Sequence, residues 1–84
     1  MDHPFIRVKV ARGWGQLVYK VTDLSGDFDP FYLWREGDSL LLAYEPFATV
    51  DLRVLIQEED WDAEYGALIE YADLLRLVEE AGRT

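Results

Sequence analysis

Residues 50–82 read VDLRVLIQEEDWDAEYGALIEYADLLRLVEEAG, and the repeat of the apolar positions changes partway along. From Val50 to Gln57 the repeat is two. Val50, Leu52, Val54 and Ile56 alternate with Asp51, Arg53, Leu55 and Gln57, the pattern of a half-buried strand. From about Asp60 the repeat becomes helical. Leu68, Tyr71, Leu75 and Val78 form one stripe, widened by Ala67, Ala72 and Leu74, which leaves Ile69 and Leu77 on the polar side. Asp60 and Asp62 are candidate N-caps, and the acids around them suit the positive end of the helix dipole. Gly82 is placed to end the helix with Arg83 just beyond it, and Gly66 is where it can kink or split.

Upstream of this switch the chain alternates in short runs. Phe5–Ala11 sets Ile6, Val8 and Val10 against Phe5, Arg7 and Lys9. Arg12-Gly13-Trp14-Gly15 interrupts with two glycines, and Gln16–Thr22 then groups Leu17, Tyr19 and Val21, so the pair predicts a hairpin. Asp23–Pro30 is a polar loop rich in turn residues. Phe31–Arg35 is aromatic and strand-like, Glu36-Gly37-Asp38 turns, and Ser39–Glu45 returns until Pro46, which offers no N–H to a ladder. The expectation is an α+β domain over residues 1–84: an antiparallel five-stranded meander with one C-terminal helix, βββββα.

One amphipathic helix covers one face of such a sheet. The other face holds Arg7, Lys9, Lys20 and Arg53, but also Val18, Leu41, Ala43 and Leu55, with Tyr32 and Trp34 from the FYLW run at residues 31–34. Two architectures absorb this surplus. The sheet curls into a small barrel, or it stays open and a basic, aromatic face meets something else, because large contiguous apolar patches are rarely left wet.

Charge narrows the classes of function. Seventeen acids face eight bases, a formal charge of −9, and there is no cysteine, which excludes disulfides and thiolate metal sites. The bases concentrate early: Arg7, Lys9, Arg12 and Lys20 accompany only Asp2 in residues 1–22. Such a charge repels nucleic acid and anionic lipid at long range and attracts basic proteins. No apolar run approaches the ~20 residues of a membrane span, and the first residues lack the pattern of a signal peptide, so the expected setting is cytoplasmic, with no membrane.

The densest feature is Glu58-Glu59-Asp60-Trp61-Asp62-Ala63-Glu64, in which five carboxylates surround one tryptophan. Such a cluster can stand in for nucleic-acid phosphates toward a basic groove, with Trp61 as an anchor. The plainer alternative is helix capping around a core tryptophan. Trp14, between two glycines, and Tyr32 with Trp34 are further candidate contacts. Asp23, Asp27 and Asp29 share a loop, but their spacing is not that of a calcium-binding loop, so neither metal nor cofactor is expected. His3 is the single histidine and sits near a terminus. Gly13-Trp14-Gly15 lacks the remaining glycine of a dinucleotide fingerprint, and there is no P-loop, so no enzyme activity is expected.

Small, acidic, cysteine-free, aromatic-rich domains suit inhibitors of the antitoxin, immunity or phage anti-defence kind, which occlude a basic, nucleic-acid-handling surface of a partner protein. The contacts would be Glu58, Glu59, Asp60, Trp61, Asp62, Glu64, Tyr32, Trp34 and Trp14. The alternative is a self-associating adaptor, a homodimer through the apolar sheet face. Direct nucleic-acid binding is not expected.

Overall fold

The computed structural model describes residues 3–11, 17–45 and 54–83. Five strands, β1 (Ile6–Ala11), β2 (Val18–Asp23), β3 (Phe31–Glu36), β4 (Ser39–Ala43) and β5 (Val54–Leu55), precede two helices, α1 (Glu58–Tyr65) and α2 (Tyr71–Arg83). The strands form one antiparallel sheet in the order β1-β2-β3-β4-β5. The fold is therefore an α+β meander with an open sheet, not a barrel, and it ends in the C-terminal helix α2. Residues 12–16, including Trp14, and residues 46–53, including Pro46 and the start of the predicted fifth strand, lie outside the described residues. Of the predicted Val50–Gln57 strand, the described part pairs only at Leu41↔Leu55 and Leu42↔Val54, with one more bond from Ile56 N–H to Leu40 O at 2.9 Å.

The β3–β4 connection follows from its sequence. Glu36 pairs with Ser39, leaving Gly37 and Asp38 as a two-residue loop. Gly37 has φ +64°, a left-handed backbone that glycine adopts without steric cost.

Period-two alternation places Ile6, Tyr19, Val21, Phe31, Leu33, Leu40 and Leu42 on one face, where they meet Trp61, Tyr65, Ile69, Leu74, Leu77 and Val78 in the main core. Leu33, Leu74 and Val21 are fully enclosed, and burial of each such side chain contributes about 1.5–3 kcal/mol. No helix among the described residues is long and apolar enough to cross a membrane.

The helical region departs from expectation. The single helix is two, split at residues 66–70 at the break that Gly66 offered, with Gly66 as the C-cap of α1 and its N–H bonded to Asp62 O at 3.0 Å. The split changes the phase of the apolar stripe. Ile69 and Leu77, predicted on the polar side, are buried, whereas Leu75 is half-buried and Ala67 and Ala72 are exposed. Leu74, Leu77 and Val78, at i, i+3 and i+4, form the seam of α2. Gly82 does not end α2. The helix continues through Arg83, and a Cβ at Gly82 would stand 2.6 Å from the Tyr19 hydroxyl, so a side chain here would have to displace that hydroxyl.

The opposite sheet face is less open than the surplus suggested. Val18, Trp34 and Ala43 form a second buried cluster, with Ala11, Tyr32 and Leu41 packed against it. Ladder pairing explains it: Val18↔Trp34, Trp34↔Leu41 and Leu41↔Leu55 put one apolar row across four strands. Only Leu55 in that row is exposed.

Candidate functional site

Helix α1 starts after Gln57, an extended N-cap residue with no side-chain capping bond. Its first turn is instead acidic, Glu58, Glu59 and Asp60, which offsets the positive helix end electrostatically. Asp60 and Asp62 do not cap this helix. Asp62 Oδ1 accepts the Tyr71 N–H at 2.9 Å, so it caps the next helix, at one of the four N–H groups an N-terminus leaves unpaired. Sequence spacing cannot show this, because the bond spans nine residues and exists only once the chain turns at 66–70.

Trp61 is a core residue, the plainer of the two readings, and its burial corrects its place among the candidate partner contacts. It is 3% exposed, its indole N–H donates to Ile69 O at 2.9 Å, and its ring lies 4.5 Å from Tyr65 and 5.9 Å from Phe31. One indole thereby fills the core and ties the corner between the two helices.

The remaining carboxylates, Glu58, Glu59, Asp60 and Glu64, are exposed. Among the described residues none of them meets a basic side chain; the described ion pairs lie on α2, Arg76–Asp73 at 2.6 Å and Arg83–Glu79 at 2.7 Å. Asp60 and Glu64, one helical turn apart, form one wall of a groove of about 230 Å³ between α1 and the β4–β5 edge. The facing wall is Tyr44, Val54 and Leu55, each about half exposed, and Leu42, Trp61 and Tyr65 lie beneath. Val54, expected in the covered face, is 56% exposed because it sits on the last strand of the sheet, beyond the helical cover.

The Tyr44 and Tyr65 hydroxyls meet at 3.0 Å in this groove. Burial pushes the Tyr65 pKa far above its ordinary value, and the bond to Tyr44 and the nearby Glu64 charge push it the same way. The phenol therefore stays neutral, able to donate or accept. Tyr44 and Tyr65 were not singled out in the sequence. Their aromatic type was the only local signal, and their pairing joins residues 21 positions apart.

The other candidates lie elsewhere. Tyr32 is half-buried and Trp34 is buried at 6% exposure, both on the sheet face away from α1, with the Trp34 indole N–H directed at Glu36 Oε1 at 3.4 Å. The structure does not join them to the acidic cluster. At the end of β2, Asp23 serves the loop that follows: Oδ1 accepts the Ser25 N–H at 2.8 Å and the Ser25 hydroxyl at 2.5 Å, and Oδ2 accepts the N–H groups of Asp27 and Phe28 at 3.0 Å each. The Ser25 hydroxyl, then the backbone donors, hold its carboxyl below the usual range against an opposing effect of burial. Among the described residues no three histidine or acidic side chains converge to hold a metal.

The groove is thus apolar within, acidic along the helix side and phenolic at one end, an arrangement that suits an aliphatic chain ending in a cation. Comparison of the chain with family models, with curated proteins and with solved structures finds no match.

Proposed function

We propose that this protein is a small acidic partner-binding domain that docks on a basic surface of another protein, with a lysine or arginine side chain of that partner entering the groove beside α1. One observation carries the reading. Glu58, Glu59, Asp60 and Glu64 are exposed and lack a basic neighbour among the described residues, and two of them, Asp60 and Glu64, line a largely apolar groove. Carboxylates that serve only as helix-end charges would not need an apolar groove at their side. The inhibitor role follows from this chemistry: an acidic helix end set against a basic, nucleic-acid-handling surface competes with phosphates for the same cations. No catalytic step, cofactor or direct nucleic-acid contact belongs to this reading, and a cytoplasmic setting goes with it. Self-association through Tyr32, Trp34, Leu41 and Leu55 has less support, because Trp34 is buried and Leu41 half-buried in the second cluster.

The test is binding of a basic partner, recovered by affinity capture and then purified, to the native chain and to a Glu58→Gln, Glu59→Gln, Asp60→Asn, Glu64→Gln variant. The native complex should weaken as salt rises, and the variant should bind at least ~10-fold more weakly and with a flatter salt dependence. Equal affinity of the two proteins would sink the reading.

A further inference from the structure

The opposite edge of the sheet carries the opposite charge. Strand β1 pairs only with β2, in the register Ile6↔Asp23 to Ala11↔Val18. The Leu24 N–H donates to Phe5 O at 2.8 Å, which identifies Phe5 and Leu24 as a hydrogen-bonded pair. Antiparallel ladders alternate, so Arg7, Lys9 and Ala11 bond to β2 while the backbone groups of Ile6, Val8 and Val10 point away from the sheet. Among the described residues nothing pairs with them.

The side chains along this free edge alternate in kind. Arg7 and Lys9 are exposed on the outer face, whereas Val8 and Val10 reach the core face and are only half-covered. Lys9 stands directly opposite Lys20, and like charges so placed are destabilising. No acidic side chain among the described residues offsets them. A chain with seventeen acids has thus left three cations together beside an unpaired strand edge.

Charges on an edge strand guard against edge-to-edge pairing. Here the guard is selective by sign. A second copy paired antiparallel about Val8 would bring Arg7 against Lys9 of that copy, and a basic strand is repelled in the same way. An acidic strand is not. We propose that the β1 edge accepts, by strand addition, an extended acidic segment of a partner protein in which Asp or Glu alternates with Val, Ile or Leu. The added backbone bonds to Ile6, Val8 and Val10. Its carboxylates then stand opposite Arg7 and Lys9 at the non-hydrogen-bonded positions, where Cα atoms are about 4.5 Å apart and side chains are closest. Its apolar residues continue the Val8 and Val10 row and complete their cover. Main-chain bonds supply affinity and the alternating side chains supply specificity. This edge is at the far side of the sheet from β5 and the α1 groove, so the inference stands independently of the proposed function.

The test uses a fluorescent peptide alternating Glu with Val over seven residues, its Gln–Val counterpart, and the full chain at ~0.15 M salt, where the Debye length of about 8 Å screens the net charge. The Glu peptide should bind saturably and at least ~10-fold more tightly than the Gln peptide. On binding, the Val8 and Val10 amide protons should become protected from exchange. An Arg7→Glu, Lys9→Glu variant should lose the preference for Glu. Val8→Pro, which removes an outward N–H and spares the bonds to β2, should weaken the Glu peptide at least ~10-fold. Circular dichroism checks that each variant folds, and amide protection in the native chain reads the edge if Val8→Pro does not fold. No binding up to ~1 mM, equal binding of both peptides, or binding without protection at Val8 and Val10 would each overturn the inference.

Discussion

The β2–β3 loop and helix α1 both concentrate carboxylates, and the two regions use them in opposite ways. In the loop, Asp23 is 7% exposed and accepts bonds from Ser25, Asp27 and Phe28, so its charge organises the chain that carries it. On α1, Glu58, Glu59, Asp60 and Glu64 are exposed and find no basic neighbour among the described residues. The cause is backbone conformation. The loop is short and turned, with Gly26 at φ +81°, so successive N–H groups aim at one acceptor. A helix bonds its N–H groups to its own carbonyls beyond the first turn, and its outward acids find no backbone donor there. The same residue types are therefore structural in one place and, Asp62 apart, exposed without a basic neighbour among the described residues in the other. Helix α2 lies between these extremes: Asp73 and Glu79 are held by Arg76 and Arg83 at (i, i+3) and (i, i+4).

The largest effect is expected at Trp61, one of the two buried residues of α1. Trp61→Ala should cost about 3–5 kcal/mol, as large aromatic truncations in cores do, read as a lower midpoint in urea unfolding. It removes the contacts to Phe31 and Tyr65 and leaves the Ile69 carbonyl without its donor. A loss under ~1 kcal/mol would mean that the tryptophan does not join α1 to the core.

Asp23 separates the two regions next. Asp23→Asn should lower the thermal midpoint more than neutralising all four α1 acids together. Its pH dependence has a defined sign. The folded pKa lies below the unfolded value of 3.8, so the contribution is fully present above 3.8 and is lost as pH falls through the lower folded value. Acid unfolding of the native chain should therefore carry a component in that window that Asp23→Asn lacks. Superimposable acid-unfolding curves, after adjustment for the midpoint, would show that the carboxylate organises nothing.

The smallest effect on stability belongs to the α1 acids themselves. Favourable helix-end charge, at about 0.3–1 kcal/mol per residue at most, opposes their mutual repulsion. The variant Glu58→Gln, Glu59→Gln, Asp60→Asn, Glu64→Gln should thus change unfolding free energy by less than ~1 kcal/mol while losing affinity for a basic partner. A large loss of stability would assign these acids to the fold, like Asp23, and remove the contrast.

Local pattern was enough for much of the architecture. Period two marks β1 and β2, the aromatic run marks β3, and the Glu36–Ser39 turn has the residues that a two-residue hairpin requires. The acidic start of α1 was equally plain, because charge and order along the chain are local quantities. For Trp61 the sequence left a core and a surface position open, since the groups that bury it come from β3 and the 66–70 corner. The groove was hidden for the same reason: Tyr44 and Tyr65 belong to different elements and meet only when α1 returns over the end of the sheet.

By itself the sequence determined the meander, the helical end of the chain, the acidity of α1 and the cationic pattern of β1. Each of these depends on backbone preference and side-chain periodicity over a few residues. Tertiary structure decided between an open sheet and a barrel and between a core and a surface Trp61, and it alone decided that the apolar seam of the helical region rotates and that Asp62 caps the helix after its own. Those outcomes depend on which distant groups come within contact distance, and burial and hydrogen bonding between them outweigh the local signals that pointed elsewhere.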